Sequence, residues 1–123
     1  MAKIARYLER LIALARPRRI TAPTVAADAD GLRIDSETVT WSDIRSVHAM
    51  KRDIYIGDFL CLMIFTLSGR AFEINEESPG WKQAGNAMEQ FLPGALPHAE
   101  WTLRLLAANP GTSLTIYPAP EAE

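Results

Sequence analysis

His48, Lys51, Arg52, Asp53 and Asp58 bring together, within one short stretch, the residue types that move protons or hold cations. An imidazole with a carboxylate beside it can take and return a proton, so His48 with Asp53 or Asp58 is the pair from which an enzyme would be built. The surrounding residues alternate as a strand, with Val47 and Ala49 on one side and His48 and Met50 on the other. A histidine on the solvent-facing side of a strand is the plainer reading. Asp53 and Asp58 flank Ile54-Tyr55-Ile56-Gly57 and lack the regular ligand spacing of a calcium loop, so they read as turn residues. Lys51-Arg52-Asp53 reads as a solvated strand end.

The other candidates are isolated. His98 opens a helical stretch, where the positive end of the helix disfavours its charged form, and no HxxxH or HExxH companion accompanies it. Cys61 is the sole cysteine and sits inside an apolar strand, so it reads as a buried, inert thiol in a chain without an intramolecular disulfide. Glu76 and Glu77 precede a helix and would meet its positive end. The seven glycines are scattered singly, outside any GxGxxG or Walker loop, and no serine has a GxSxG context. No catalytic residue, metal ligand or cofactor site is assigned, and the chain is expected not to be an enzyme.

The elements that would position these residues are legible from periodicity. Thr24 to Ala27 and Leu32 to Ile34 flank Asp28-Ala29-Asp30-Gly31, a hairpin turn in which aspartates bond local backbone. Val39 and Trp41 alternate with Thr38 and Thr40, and Ser42-Asp43 makes a corner before Arg45 to Asp53. Phe59 to Leu67 is apolar on both faces, so both must be covered. After the Ser68-Gly69-Arg70 turn, Ala71 to Asn75 alternates again.

The last third is helical. Ser78 would cap a helix with Pro79 at its first position, carrying Trp81, Ala84, Met88, Phe91 and Leu92 on one stripe to Pro93-Gly94. A second helix spans about Pro97 to Ala108, with Trp101, Leu105 and Ala108 on one face. Leu114 to Tyr117 would add a late strand. Val39, Trp41, Ile44, Val47, Leu62, Ile64, Phe72, Ile74, Trp81, Met88 and Phe91 are the expected core.

The first twenty residues differ from the rest. Ile4, Tyr7, Leu8, Leu11, Ile12 and Ala15 recur at helical spacing, and Pro17 ends the pattern. Lys3, Arg6, Arg10, Arg16, Arg18 and Arg19 face only Glu9 there, although the whole chain has a net charge of −2. A global basic field for nucleic acid is absent, and an anionic partner would meet this segment first. It does not read as a secretory signal, because charges interrupt its apolar run, and a cytoplasmic protein is expected. The expected organisation is a basic amphipathic helix and connector over 1–20, one domain over 21–117 and a tail over 118–123.

The order GLRI, VTWSDIRSV, an apolar strand, a Gly turn and AFEI resembles bacterial pleckstrin-homology-like domains. With KRD, Asp58, EINEE, GW and LPG it is similar to a family of small uncharacterised bacterial proteins, over roughly Gly31 to Gly94. The resemblance implies a strand meander curled into a barrel with a helix plugging one end. It implies no activity, since such folds bind lipids, peptides and proteins alike. Lipid recognition by that fold uses a basic first hairpin loop, whereas the equivalent Asp28-Ala29-Asp30-Gly31 is acidic.

The fold expected is therefore α+β: a small antiparallel barrel or bent sheet of about six to seven strands, an N-terminal helix and two C-terminal helical segments. The expected function is a non-catalytic binding or scaffold module acting on a protein partner or as a homodimer. The interaction surface would be sheet edges or Lys3, Arg6, Arg10, Arg16, Arg18 and Arg19. Peripheral association of the basic helix with an anionic membrane is the alternative. An enzyme using His48 is the least favoured.

Overall fold

The structure, a computed structural model, describes residues 22–54 and 57–118. Among them the fold is α+β, with two antiparallel sheets and two helices. The N-terminal helix expected over 1–20, with its six basic residues, and the tail beyond Pro118 lie outside the described residues.

The first sheet is a meander of β1 (Val25–Ala27), β2 (Gly31–Ile34) and β3 (Glu37–Thr40). Its first turn forms as the aspartates dictate: Asp28 Oδ1 accepts the backbone N–H groups of Asp30 and Gly31 at 2.8 and 3.2 Å. A Cβ at Gly31 would run into the Val39 carbonyl, so β2 and β3 can cross this closely only at a glycine.

The second sheet has the order β6-β5-β4-β7, from β4 (Ile44–Ile54), β5 (Gly57–Thr66), β6 (Ala71–Asn75) and β7 (Ser113–Tyr117). No strand pair joins the two sheets, so the described strands form no closed barrel. They are linked instead by a 3-10 turn, Trp41–Asp43, and by Arg70. The Arg70 guanidinium donates to Glu37 and to the Thr38 carbonyl of β3, both at 3.1 Å, and lies 3.5 Å from Asp43. Asp43 also accepts from the Ser68 N–H and hydroxyl at 3.1 and 2.8 Å. The corner carboxylate thus ties one turn to another far along the chain.

Helix α1 (Trp81–Phe91) and helix α2 (His98–Leu106) close the core between the sheets. Ser78 does not cap α1, contrary to the sequence pattern. Its hydroxyl accepts the Asn75 N–H at 3.1 Å, which consumes it in the turn after β6. Gly80 takes the cap position at φ 90°, and a side chain there would strike the Val25 carbonyl. The helix starts two residues late because its entry is wedged against β1. Glu76 also has a different role from the one expected. Its carboxylate accepts the Leu60 N–H at 2.7 Å and closes the edge of β5 rather than meeting the helix end.

Val39, Ile44, Val47, Leu62, Ile64, Ile74 and Met88 are buried as expected. Trp41, Phe72 and Trp81 are only partly buried at the rim of the core. Trp41 stacks on Phe91 with ring centroids 5.5 Å apart and donates its indole N–H to the Asp28 carbonyl at 2.8 Å. The deepest aromatic is Trp101 of α2, with Leu105 one turn further along.

Candidate functional site

The alternation of β4 and β5 sends two sets of side chains to opposite faces. Val47, Ala49, Leu60, Leu62 and Ile64 enter the core beneath the helices. Met50, Cys61 and Met63 form a second buried cluster, with Phe65 packed against it. The cluster lies on the outer face of the sheet, where His48, Arg52 and Glu73 also belong by register.

This face holds the chemistry-bearing residues that the sequence singled out. His48 is half-buried rather than solvent-facing. Its Nδ1 lies 3.2 Å from the Thr115 hydroxyl of β7, and its ring meets Phe65 edge-on at 5.6 Å between centroids. Burial lowers its pKa from the usual imidazole value. β7 pairs beside β4 and brings Thr115 next to His48, a neighbour that the local sequence around His48 does not reveal.

The Cys61 thiol is fully buried. Its pKa is raised to about 12, chiefly by burial, then by the Glu73 charge, with Arg52 opposing. A thiol so far from ionisation is a poor nucleophile and a poor metal ligand. Arg52 and Glu73 form an ion pair at 3.0 Å across β4, β5 and β6. Asp53 and Asp58, read from the sequence as turn residues, belong instead to β4 and β5 and are paired in the backbone register near the end of the same hairpin.

Lys51 departs most from its expected place. It is buried, and its ammonium donates to the Leu106 and Ala108 carbonyls at 3.1 and 2.9 Å. These are orphan acceptors at the C-terminus of α2, where a cation is favoured by both hydrogen bonding and the helix dipole. Its backbone also engages the following turn, accepting from Gly111 at 2.7 Å and donating to Thr112 at 3.0 Å. The residue that looked like a solvated strand end clamps α2 onto the sheet.

His98 sits at the start of α2 between two indoles, 4.9 Å from Trp101 and 6.5 Å from Trp81 by ring centroids. Its Nδ1 is buried without a hydrogen-bond partner against Gly85 of α1. Its pKa is lowered, first by burial; the Glu89 charge opposes this, and Lys82 adds to it. Burial, rather than the helix end, is the main cause. The histidine acts as a packing ring that lets α1 and α2 approach at a glycine.

Sequence reasoning missed the surface that stands out most. Leu103 and Leu106 of α2 are 67% and 56% exposed. With exposed Ala99 and Ala107 they line the side of α2 opposite Trp101 and Leu105. Glu100 and Arg104 pair at 3.4 Å beside them. The signal was present: the leucines fall outside the spacing of the buried face, so the helix is apolar on two sides.

Among the described residues, no group of three or more His, Cys, Asp or Glu is placed to hold a metal ion. Likewise, no described helix is long and apolar enough to cross a membrane. Compared with family models, with curated proteins and with solved structures, the chain matches none.

Proposed function

We propose that this chain is a non-catalytic binding or scaffold module that acts through protein–protein contact, with the outward face of α2 as its contact surface. The exposure of Leu103 and Leu106 on a firmly anchored helix carries the reading. Trp101 and Leu105 bury the inner face of α2, and Lys51 caps its end. A partner therefore meets a rigid apolar stripe and loses little conformational freedom on binding. The occupant that fits is an apolar groove or a second copy of the stripe, rimmed by groups that match Glu100 and Arg104.

A pleckstrin-homology-like build belongs to the same reading. A three-stranded and then a four-stranded antiparallel sheet, followed by a helix across the core, supports it. The return of β7 beside β4 is an addition to that plan. The condition of Cys61 and the structural engagement of His48 and Lys51 favour a binding role over a catalytic one.

Affinity purification from the native host with quantitative mass spectrometry tests the proposal, comparing the full chain with its Leu103→Glu/Leu106→Glu variant. Loss of two apolar anchors lowers recovery of a specific partner at least ~10-fold. Equal recovery by both, at equal thermal stability, overturns it.

A further inference from the structure

Glu100 and Arg104 give the exposed stripe of α2 a direction that a purely apolar stripe would lack. A helix turns ~100° per residue, so Ala99, Leu103, Leu106 and Ala107 fall within ~100° of arc. Glu100 and Arg104 lie together on one shoulder of that arc, and half-buried Thr102 lies on the other. Both charges of this helix are therefore on one side, with the acid one turn ahead of the base.

A two-fold axis standing normal to two antiparallel helices sets like shoulder against like shoulder, with the direction reversed. Glu100 of one copy then faces Arg104 of the other, and the axis repeats the contact. Two acids or two bases at these positions would instead repel their own copy. The chain's net charge of −2 adds little repulsion at longer range.

The apolar side chains obey the same symmetry. The charged pairs align when the axis passes at the level of Thr102, midway between Glu100 and Arg104. At that register Leu103 of the second copy falls at the level of Trp101, midway between Ala99 and Leu103 of the first. Its Ala99 falls at the level of Leu105, between Leu103 and Leu106, and its Leu106 meets the small Ala99. A single register thus pairs the charges and interleaves the apolar side chains as knobs into holes.

We infer, from the reading of α2 as a contact surface, that its occupant is a second copy of this chain in an antiparallel two-fold pair of α2 helices. Contact along one nine-residue helix belongs with the reversible interfaces below ~1,200 Å², so the dimer forms at micromolar concentrations and above.

Sedimentation equilibrium of the full chain from about 1 μM to 1 mM, the range of weak complexes, tests this. The native chain passes from monomer to dimer, and Leu103→Glu weakens the association at least ~10-fold. Glu100→Arg and Arg104→Glu each set like charges together and weaken self-association to a similar degree. Mixed in equal amounts, these two variants form a heterodimer, because each charge again meets its opposite. Both lose the intrahelical pair, so recovery in the mixture comes from contact between copies. Circular dichroism verifies the fold of each variant, and the mixture keeps the inference testable if Leu103→Glu unfolds.

A dimer indifferent to Leu103→Glu overturns the inference, and so does a mixture that stays monomeric while the native chain dimerises. A native chain that is monomeric throughout overturns it as well. If that monomer still captures another protein from the host through Leu103 and Leu106, the binding-module reading stands without the dimer. If it captures none, both fall.

Discussion

Met50 and Cys61 stand opposite each other in the register of β4 and β5, and the Cys61 thiol donates to the Met50 carbonyl at 3.7 Å. The pair marks the centre of a sheet face that is as dry as the main core. The centre of the sheet is thus buried on both faces, which makes the exposed leucines of α2, rather than the sheet, the place to look for a partner.

Lys51→Met removes two hydrogen bonds and leaves the Leu106 and Ala108 carbonyls without their cap. Unsatisfied acceptors at a partly buried helix end cost about 1–3 kcal/mol, partly offset by the apolar replacement. Urea denaturation should show a lower midpoint with an unchanged slope. Hydrogen exchange should accelerate first in α2 and the turn before β7.

Gly85→Ala inverts an ordinary expectation. Alanine in a helix interior usually stabilises by up to ~1 kcal/mol over glycine. Here its methyl meets the His98 ring, and the net effect is destabilisation of about 1–3 kcal/mol. His98→Ala in the Gly85→Ala background makes room for the methyl. A double-mutant cycle should therefore return a favourable coupling energy, measured by thermal unfolding.

Acid weakens this fold through its two histidines. Both pKa values are lowered in the folded state, so the unfolded chain binds protons more readily. Stability is complete above the unfolded imidazole value of about 6.5 and falls as pH drops below it, toward the folded values. Unfolding free energies measured from pH 8 to pH 5 should decline, and His48→Gln should flatten part of the slope.

Trp41→Ala tests the corner that joins the sheets. The indole stacks on Phe91 and donates to Asp28, but it lies at the core rim. The cost is about 2–3 kcal/mol, at or below the ~3–5 kcal/mol typical of a fully buried aromatic. Trp41→Phe isolates the hydrogen bond at about 1 kcal/mol.

The sequence was informative where one local rule decided the outcome. Asp28 to Gly31 turns because aspartate bonds its own backbone, and Leu60 to Ile64 is buried on both faces because both are apolar, although Leu67, read into the same run, is exposed. It misled where a distant segment supplied the partner. Ser78 has the composition of a cap, yet its hydroxyl serves the turn behind it, and the approach of β1 leaves only glycine room at the cap. Lys51 and His48 look solvent-facing until α2 and β7 return to β4 from more than fifty residues away. The α2 stripe was readable in the spacing of Leu103 and Leu106. Their exposure was not, because it depends on which face Trp101 buries.

The most direct measurement of the central claim is site-specific photo-crosslinking in native-host cells, with the photoreactive residue placed at Leu103 on α2 or at Arg33 on β2 as a control. The account predicts one dominant protein adduct, or a crosslinked dimer, from position 103 that is absent from position 33 and lost with Leu106→Glu. Adducts of the same pattern from both positions, or a position-103 adduct indifferent to Leu106→Glu, would contradict it.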